Sequence, residues 1–320
     1  MNIEKIFSMP ENKLKDALRN ELCGLGYLEG NLHNKKSFLY AEGNAPYMLI
    51  AHLDTVHKKL PSIICYSKDG NYMMSPQGIG GDDRCGVYII LELLKKLTFK
   101  PYVLFTMGEE IGGIGAKDFS KYICSQNIPS LKYIVEFDRK GNEDCVFYRC
   151  GNAEFIEFVE SFGFKKEWGT FSDISVIAPD LDVAAVNLSS GYYNPHMEHE
   201  YVSINDMKNI IEKSFKMLTS ESDSFDYQEV KYEYSYRNRN QKVKVSPVPE
   251  DSVFIYNPYA DKLYLNMDKE LMIDSDGNFY RYHHIFGDLT RMIYEEVLPA
   301  DDGDIVEFNP ETAVELSLYF

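Results

Sequence analysis

The feature that most constrains this chain is an alternation. Short apolar runs, Tyr47-Met48-Leu49-Ile50-Ala51, Tyr102-Val103-Leu104-Phe105, Tyr133-Ile134-Val135-Glu136-Phe137 and Val183-Ala184-Ala185-Val186-Asn187-Leu188, are separated by stretches whose apolar residues recur at helical spacing. Helices are expected over residues 10–25, 87–97, 116–119, 152–162 and 204–218. Strands that alternate with helices cannot bury both faces of a sheet except by placing helices on each side. The expected class is therefore α/β, a three-layer sandwich with a mainly parallel mixed sheet flanked by helices. In such sheets ligands bind beyond the carboxyl ends of the strands. That is where His52, Glu109 with Glu110, and Asp138 stand in this sequence.

After Ser220 the pattern changes. Ser220-Glu221-Ser222-Asp223-Ser224 reads as a polar linker, and the remainder is rich in tyrosine and strand-like segments such as 242–245, 252–256 and 262–265, with a helix expected over 287–298. The expected division is a catalytic domain over 1–220 and a smaller, mostly β accessory C-terminal module over 221–320, whose role the residues do not state.

Charge and cysteine usage narrow the class of protein. Fifty acidic residues against 33 basic ones give a formal net charge of -17, which repels nucleic-acid backbones and anionic lipid. Neither nucleic acid nor a membrane is an expected partner. The six cysteines are scattered without CxxC pairs, which suits reduced thiols in a cytoplasmic protein, and no run reaches the roughly 18 apolar residues of a membrane span.

Glu109 and Glu110 follow an apolar strand directly, and two adjacent carboxylates there are costly to desolvate unless a cation or a shared proton offsets the charge. With His52, Asp82, Asp138 and His196, the chain offers two imidazoles and four carboxylates, each beside or beyond an expected strand end. Imidazole nitrogen and carboxylate oxygen suit zinc, and cobalt or manganese where oxygens dominate. His52, Asp82, Glu110, Asp138 and His196 suit two metal ions better than one, with Asp82 as the bridge.

Taken in order, His52-Leu53-Asp54, Gly80-Gly81-Asp82-Asp83-Arg84, Gly108-Glu109-Glu110-Ile111-Gly112, Asp138 and His196-Met197-Glu198-His199-Glu200-Tyr201-Val202 resemble the motifs of the co-catalytic di-zinc exopeptidase clan, the zinc aminopeptidase and tripeptide aminopeptidase-like metallopeptidases. The resemblance spans residues 45–205. It implies that His52 and Asp138 bind one metal, Glu110 and His196 the other, and Asp82 both. Glu109 becomes the general base, Asp54 orients His52, and the Asp82–Asp83 peptide is cis. His199 competes with His196, and the Glu200-Tyr201-Val202 that follows selects His196 by its spacing. His57, His33, His283 and His284 fit no motif. Arg84 and Arg139, beside expected ligands, suit either local ion pairs or a substrate carboxylate; Ser172-Asp173 suits a helix cap, and Gly191-Tyr192-Tyr193 a pocket wall.

One departure from the clan matters. Members with a lid or dimerisation domain insert it between the Asp and the final His ligands, whereas only 58 positions separate Asp138 from His196 here. The compact form, without that lid, points to an aminopeptidase acting on small peptides. A carboxypeptidase or amide deacylase on the same scaffold, and a catalytically silent binding protein, are the rival expectations. The segment after Ser220 is left as a missing wall of the site or a homo-oligomer contact.

Overall fold

The computed structural model describes residues 1–126, 130–169 and 171–229, together with the backbone of six strands beyond them. The chain divides into two compact units, Met1–Lys231 and Tyr232–Phe320.

The first unit opens with helices α1 (Ile3–Ser8) and α2 (Glu11–Gly24), then strands β1 (Leu32–Asn34), β2 (Phe38–Ala41), β3 (Tyr47–His52), β4 (Cys65–Tyr66) and β5 (Tyr72–Met74). Helix α3 (Gly81–Lys96), β6 (Tyr102–Thr106), α4 (Ile114–Cys124), β7 (Tyr133–Arg139) and β8 (Asp144–Val146) follow. The unit closes with α5 (Ala153–Glu160), β9 (Lys165–Glu167), α6 (Ile174–Leu181), β10 (Ala185–Ser189), β11 (Tyr192–Tyr193), β12 (Tyr201–Ser203) and α7 (Ile204–Thr219).

Eight strands form the main sheet in the order β1-β2-β6-β3-β7-β10-β8-β9. Its centre, β6-β3-β7-β10, is parallel, and antiparallel pairs flank it at β2/β6 and β10/β8. The α/β class and the mixed, mainly parallel sheet are as the alternation implies. Side chains of a strand point alternately to its two faces, and here both faces are apolar. On β3, Leu49 and Ala51 join one core and Met48 and Ile50 the other; on β6, Val103 and Phe105 join the first and Leu104 the second. Helices α2, α3 and α7 supply Leu14, Leu18, Ile89, Leu93, Ile210 and Met217 to the first core, while α4 and α6 supply Phe119, Ile123, Ile174 and Ile177 to the second. Each of these side chains is almost wholly buried, which contributes about 1.5–3 kcal/mol apiece.

A second, antiparallel sheet in the order β11-β12-β5-β4 was not visible in the sequence, because strands of two or three residues are too short to show a period. Helix α6 follows Ser172-Asp173, where a helix cap is expected, and runs through Pro179 to Leu181. The chain remains on the first unit past Ser220: Phe225 is buried, and its backbone exchanges hydrogen bonds with Lys132 and Ala184.

In the second unit the described strands are β13 (Val253–Asn257), β14 (Ala260–Asn266), β15 (Leu271–Asp274), β16 (Phe279–His284), β17 (Met292–Glu296) and β18 (Val314–Glu315), in one sheet of order β17-β16-β15-β14-β13-β18. The helix expected over 287–298 is corrected where it is described, since Met292–Glu296 pairs antiparallel with β16 as a strand. The strand expected over 242–245 lies outside the described residues.

Candidate active site

The topology brings the site residues to one end of the sheet. His52 is the last residue of β3 and stands in register with Thr106, the last of β6. Three and four residues beyond Thr106 come Glu109 and Glu110. Asp138 lies at the carboxyl end of β7, where Asn187 of the neighbouring β10 clasps its backbone: the Asp138 N–H donates to Asn187 Oδ1 at 2.8 Å, and Asn187 Nδ2 donates to the Asp138 carbonyl at 3.0 Å. Asp82 enters at the start of α3, and the Asp82–Asp83 peptide is cis. His196 lies between β11 and β12 in a left-handed conformation with φ of 66°.

Asp83 explains how α3 begins before the expected residue 87. One of its oxygens accepts the Gly86 N–H at 3.0 Å, as an N-cap does, and the other accepts the His52 N–H at 3.2 Å. A Cβ at Gly86 would collide with the Phe137 carbonyl and the Asp83 carboxylate, so this turn needs glycine.

The side chains meet around Asp82. His52 Nε2 stands 3.1 Å from Asp82 Oδ1 and 3.5 Å from Asp138 Oδ1. His196 Nε2 stands 3.2 Å from Asp82 Oδ2 and 3.2 Å from Glu110 Oε1. The two oxygens of one carboxylate thus face two different imidazoles, each with its own second carboxylate. Donor atoms of His52, Asp82 and Glu110 lie within 4.8 Å of one another, as do those of His52, Asp83 and Asp138. In the latter group both Asp83 oxygens already accept backbone N–H bonds, which makes Asp83 a staple rather than an available donor.

Asp54 lies below this cluster. The backbone carbonyl of Asp54 is 3.1 Å from His52 Nδ1 and its Oδ1 3.4 Å away. Its carboxylate also accepts the N–H groups of Gly108 (2.8 Å), Glu109 (3.2 Å) and Glu110 (3.1 Å). Three successive amides wrapped around one anion fix the turn that carries both glutamates.

The electrostatics are those of carboxylates in excess. Burial, and then Asp82, push Asp138 up to about 8 against the pull of His52. Burial lifts Glu109 well above the ordinary glutamate range, Asp138, Asp173 and Glu110 add to it, and His52 opposes. Glu110 is raised by burial, with His196 opposing. Burial alone would lower His196, but the Asp82 and Glu110 carboxylates beside it carry it up to about 10. Asp82 goes the other way: burial is outweighed by His196 and His52, and its carboxyl is held below the usual range. Buried like charges of this kind call for cations, and the oxygen and nitrogen donors present are those that bind zinc, cobalt or manganese. Glu110 Oε1, buried with no hydrogen bond of good geometry, points the same way.

Other candidate residues fall elsewhere. His199 is exposed, and His33 pairs with Glu42 at 2.7 Å. Arg84 is buried and donates to the carbonyls of Ile6 and Met9 at 2.6 and 3.0 Å, while Arg139 lies 3.4 Å from Asp144. Asp173 takes the N-cap position of α6, yet its carboxylate accepts from Thr106 Oγ1 and not from a helix N–H; Ser172 donates to Glu136. Tyr192 and Tyr193 form β11, and the Tyr192 hydroxyl is 3.5 Å from Asp138 Oδ1. The sequence reading missed His57, which contacts the fully buried Glu200 at 2.7 Å; neither spacing nor composition marks that pair.

No family model and no curated protein matches the chain. Among solved structures it is similar to the aminopeptidase PepT from Bacillus cereus, at 14% identity and a TM-score of 0.55 over 68% of this chain and 96% of that one. A tripeptidase from Staphylococcus aureus gives 13% identity and a TM-score of 0.54 over 68% and 95%. An aminopeptidase from the archaeon Desulfurococcus kamchatkensis gives 16% and 0.51 over 69% and 94%. The likeness is one of fold: the chain shares the scaffold of these two aminopeptidases and the tripeptidase. Among the described residues no helix is long and apolar enough to cross a membrane.

Proposed function

We propose that this protein is a two-metal exopeptidase that removes amino-terminal residues from small peptides. The observation that carries the reading is the double-sided Asp82, whose Oδ1 faces His52 and whose Oδ2 faces His196. His52 and Asp138 would hold one cation, Glu110 and His196 the other, and Asp82 both. Two cations held there, zinc by preference and cobalt or manganese as substitutes, supply Lewis acidity and make water a nucleophile near neutral pH.

The remaining roles belong to side chains of this chain. Glu109, mostly buried beside Glu110, takes a proton from the attacking water and returns it to the departing amine. Asp54 holds His52 in the tautomer that leaves Nε2 as the donor. Both arginines near the site are engaged, Arg84 with backbone carbonyls and Arg139 with Asp144, which disfavours recognition of a substrate carboxylate and so favours amino-terminal cleavage.

The test combines metal analysis with product release. Purified protein should carry two equivalents of divalent metal and free amino acids from mixed peptides, and N-acetylation of those peptides should stop release while C-terminal amidation should not. The opposite dependence would make it a carboxypeptidase or deacylase. Two bound metals with no hydrolysis would leave a silent binding protein.

A further inference from the structure

We infer that His57, acting through Glu200, is a positioning residue that locks together the two loops carrying Asp82 and His196. The inference rests on the two-metal reading for its consequence, though not for its geometry. Glu200 is fully buried, and each oxygen of its carboxylate is used: Oε1 accepts the Asp82 N–H at 3.0 Å, and Oε2 accepts the Gly80 N–H at 2.9 Å and contacts His57 Nε2 at 2.7 Å. A buried carboxylate needs such donors, and His57 is the side chain that supplies one.

The three segments so joined are otherwise far apart in sequence. His57 lies just past Asp54, Gly80 and Asp82 lead into α3, and Glu200 closes the loop that begins at His196. The His57 ring occupies the space beside Gly78, where a Cβ would strike it, and Gly78 itself has φ of 80°; the ring is seated against the approach to Asp82. Glu200 is further tied back to its own loop by its N–H, which donates to the Met197 carbonyl at 3.0 Å. Within that loop His196 holds a left-handed backbone, which is unfavourable for a non-glycine residue and must be held by its surroundings. Loss of the His57 donor leaves Glu200 under-satisfied, loosens the Gly80 and Asp82 amides and releases both faces of the proposed bridge together. The His57 ring makes its ion pair with Glu200, so the charged part of its effect runs through that carboxylate.

The experiment uses the full chain as wild type, His57→Ala and His57→Gln, all confirmed as folded by circular dichroism. Amide hydrogen exchange is followed at 80 and 82 and, as a control for global destabilisation, at the core of β3. Zinc uptake by metal-free protein is followed by calorimetry. In His57→Ala, exchange at 80 and 82 should quicken at least tenfold relative to β3, and zinc should bind about 10–100-fold more weakly; the Gln amide, a donor of similar reach, should restore most of both. Unchanged local exchange in His57→Ala overturns the inference, as does equal loss in Ala and Gln variants. If wild-type protein takes up no zinc, the two-metal reading fails, and the exchange comparison still decides whether the latch exists. Should His57→Ala fail to fold, Glu200→Gln, which keeps an acceptor and loses the charge, is put to the same exchange comparison with the same expected and opposing results.

Discussion

Replacing Asp54 with alanine probes the turn that carries Glu109 and Glu110. The wild-type carboxylate accepts three consecutive backbone N–H groups, from Gly108, Glu109 and Glu110, and its Oδ1 lies 3.4 Å from His52 Nδ1. Burial alone would raise Asp54, but His52 and the amides of Glu110 and Glu109 outweigh it, and its carboxyl is held below the usual range. Hydrogen bonds to a charged group are worth about 1.5–3 kcal/mol each. The three do not add fully, because they share one anion and water can enter the partly accessible space, so the expected destabilisation is about 3 kcal/mol. For a unit of this size that corresponds to a fall in Tm of roughly 6–12 °C.

The same substitution removes the carboxylate 3.4 Å from His52 Nδ1 but leaves the residue-54 backbone carbonyl at 3.1 Å to hold the tautomer, so zinc should bind more weakly by about tenfold, the low end of the range for a lost supporting group. Thermal melts of metal-free protein read the first effect, and calorimetric zinc titration reads the second. Asp54→Asn separates them: its carbonyl oxygen can still serve Gly108 and Glu109, while its NH₂ faces the Glu110 N–H, so its stability should fall between those of wild type and alanine. A metal-free Asp54→Ala protein melting within 1 °C of wild type would refute the reasoning that the anion holds the glutamate turn.

Glu109→Gln should keep both metals by elemental analysis and lose about 10²–10⁴-fold in peptide release, since proton transfer is removed but no proposed ligand is. Metal-free protein should lose stability as pH rises: in the folded state Asp138 titrates at about 8 and Asp173 at about 6, both above the unfolded carboxylate value, so folding holds protons that the unfolded chain has released, and that contribution disappears between about pH 4 and 8. Melts in chelator at pH 6 and 8 check this, with a lower Tm expected at pH 8; saturating zinc should raise Tm at pH 8 in particular. A chain ending at 231 should fold and melt cooperatively, whereas one ending at 220 loses Phe225 from the aromatic cluster with Tyr133, Phe155 and Phe158 and should be destabilised by about 3–5 kcal/mol.

The central strands were legible because β3 and β6 are apolar on both faces, β7 and β10 are so apart from Glu136 and Asn187, and all are flanked by helical spacing. The convergence of His52, Glu110 and Asp138 has a related reason, since β3, β6 and β7 are parallel and deliver their ends to the same side, whereas Asp82 at the start of α3 and His196 between two antiparallel strands were legible only through the motifs they sit in. The supporting contacts were hidden. That Asp54 reaches across to amides 54 to 56 positions away, or that Glu200 reaches back 118 to Asp82, depends on loop conformations with no period. Asp173 was read as a cap on its residue type, yet the structure gives its carboxylate to Thr106, because a strand end packed beside it offers a hydroxyl. The stretch 287–298 shows the limit from the other side, where helical-looking spacing yields a strand at Met292–Glu296 once β16 is there to pair with it.

The position of β10 between β7 and β8 has a bearing on how the protein is made. Those two flanking strands leave the ribosome first and are neighbours in the chain, but they cannot remain neighbours in space, because a strand synthesised some forty residues later must wedge between them. Asn187 on that late arrival is what grips Asp138 by its backbone. A nascent polypeptide already displaying His52, Asp82 and Glu110 therefore lacks a fixed Asp138, and the cluster around Asp82 is completed only when the sheet has closed.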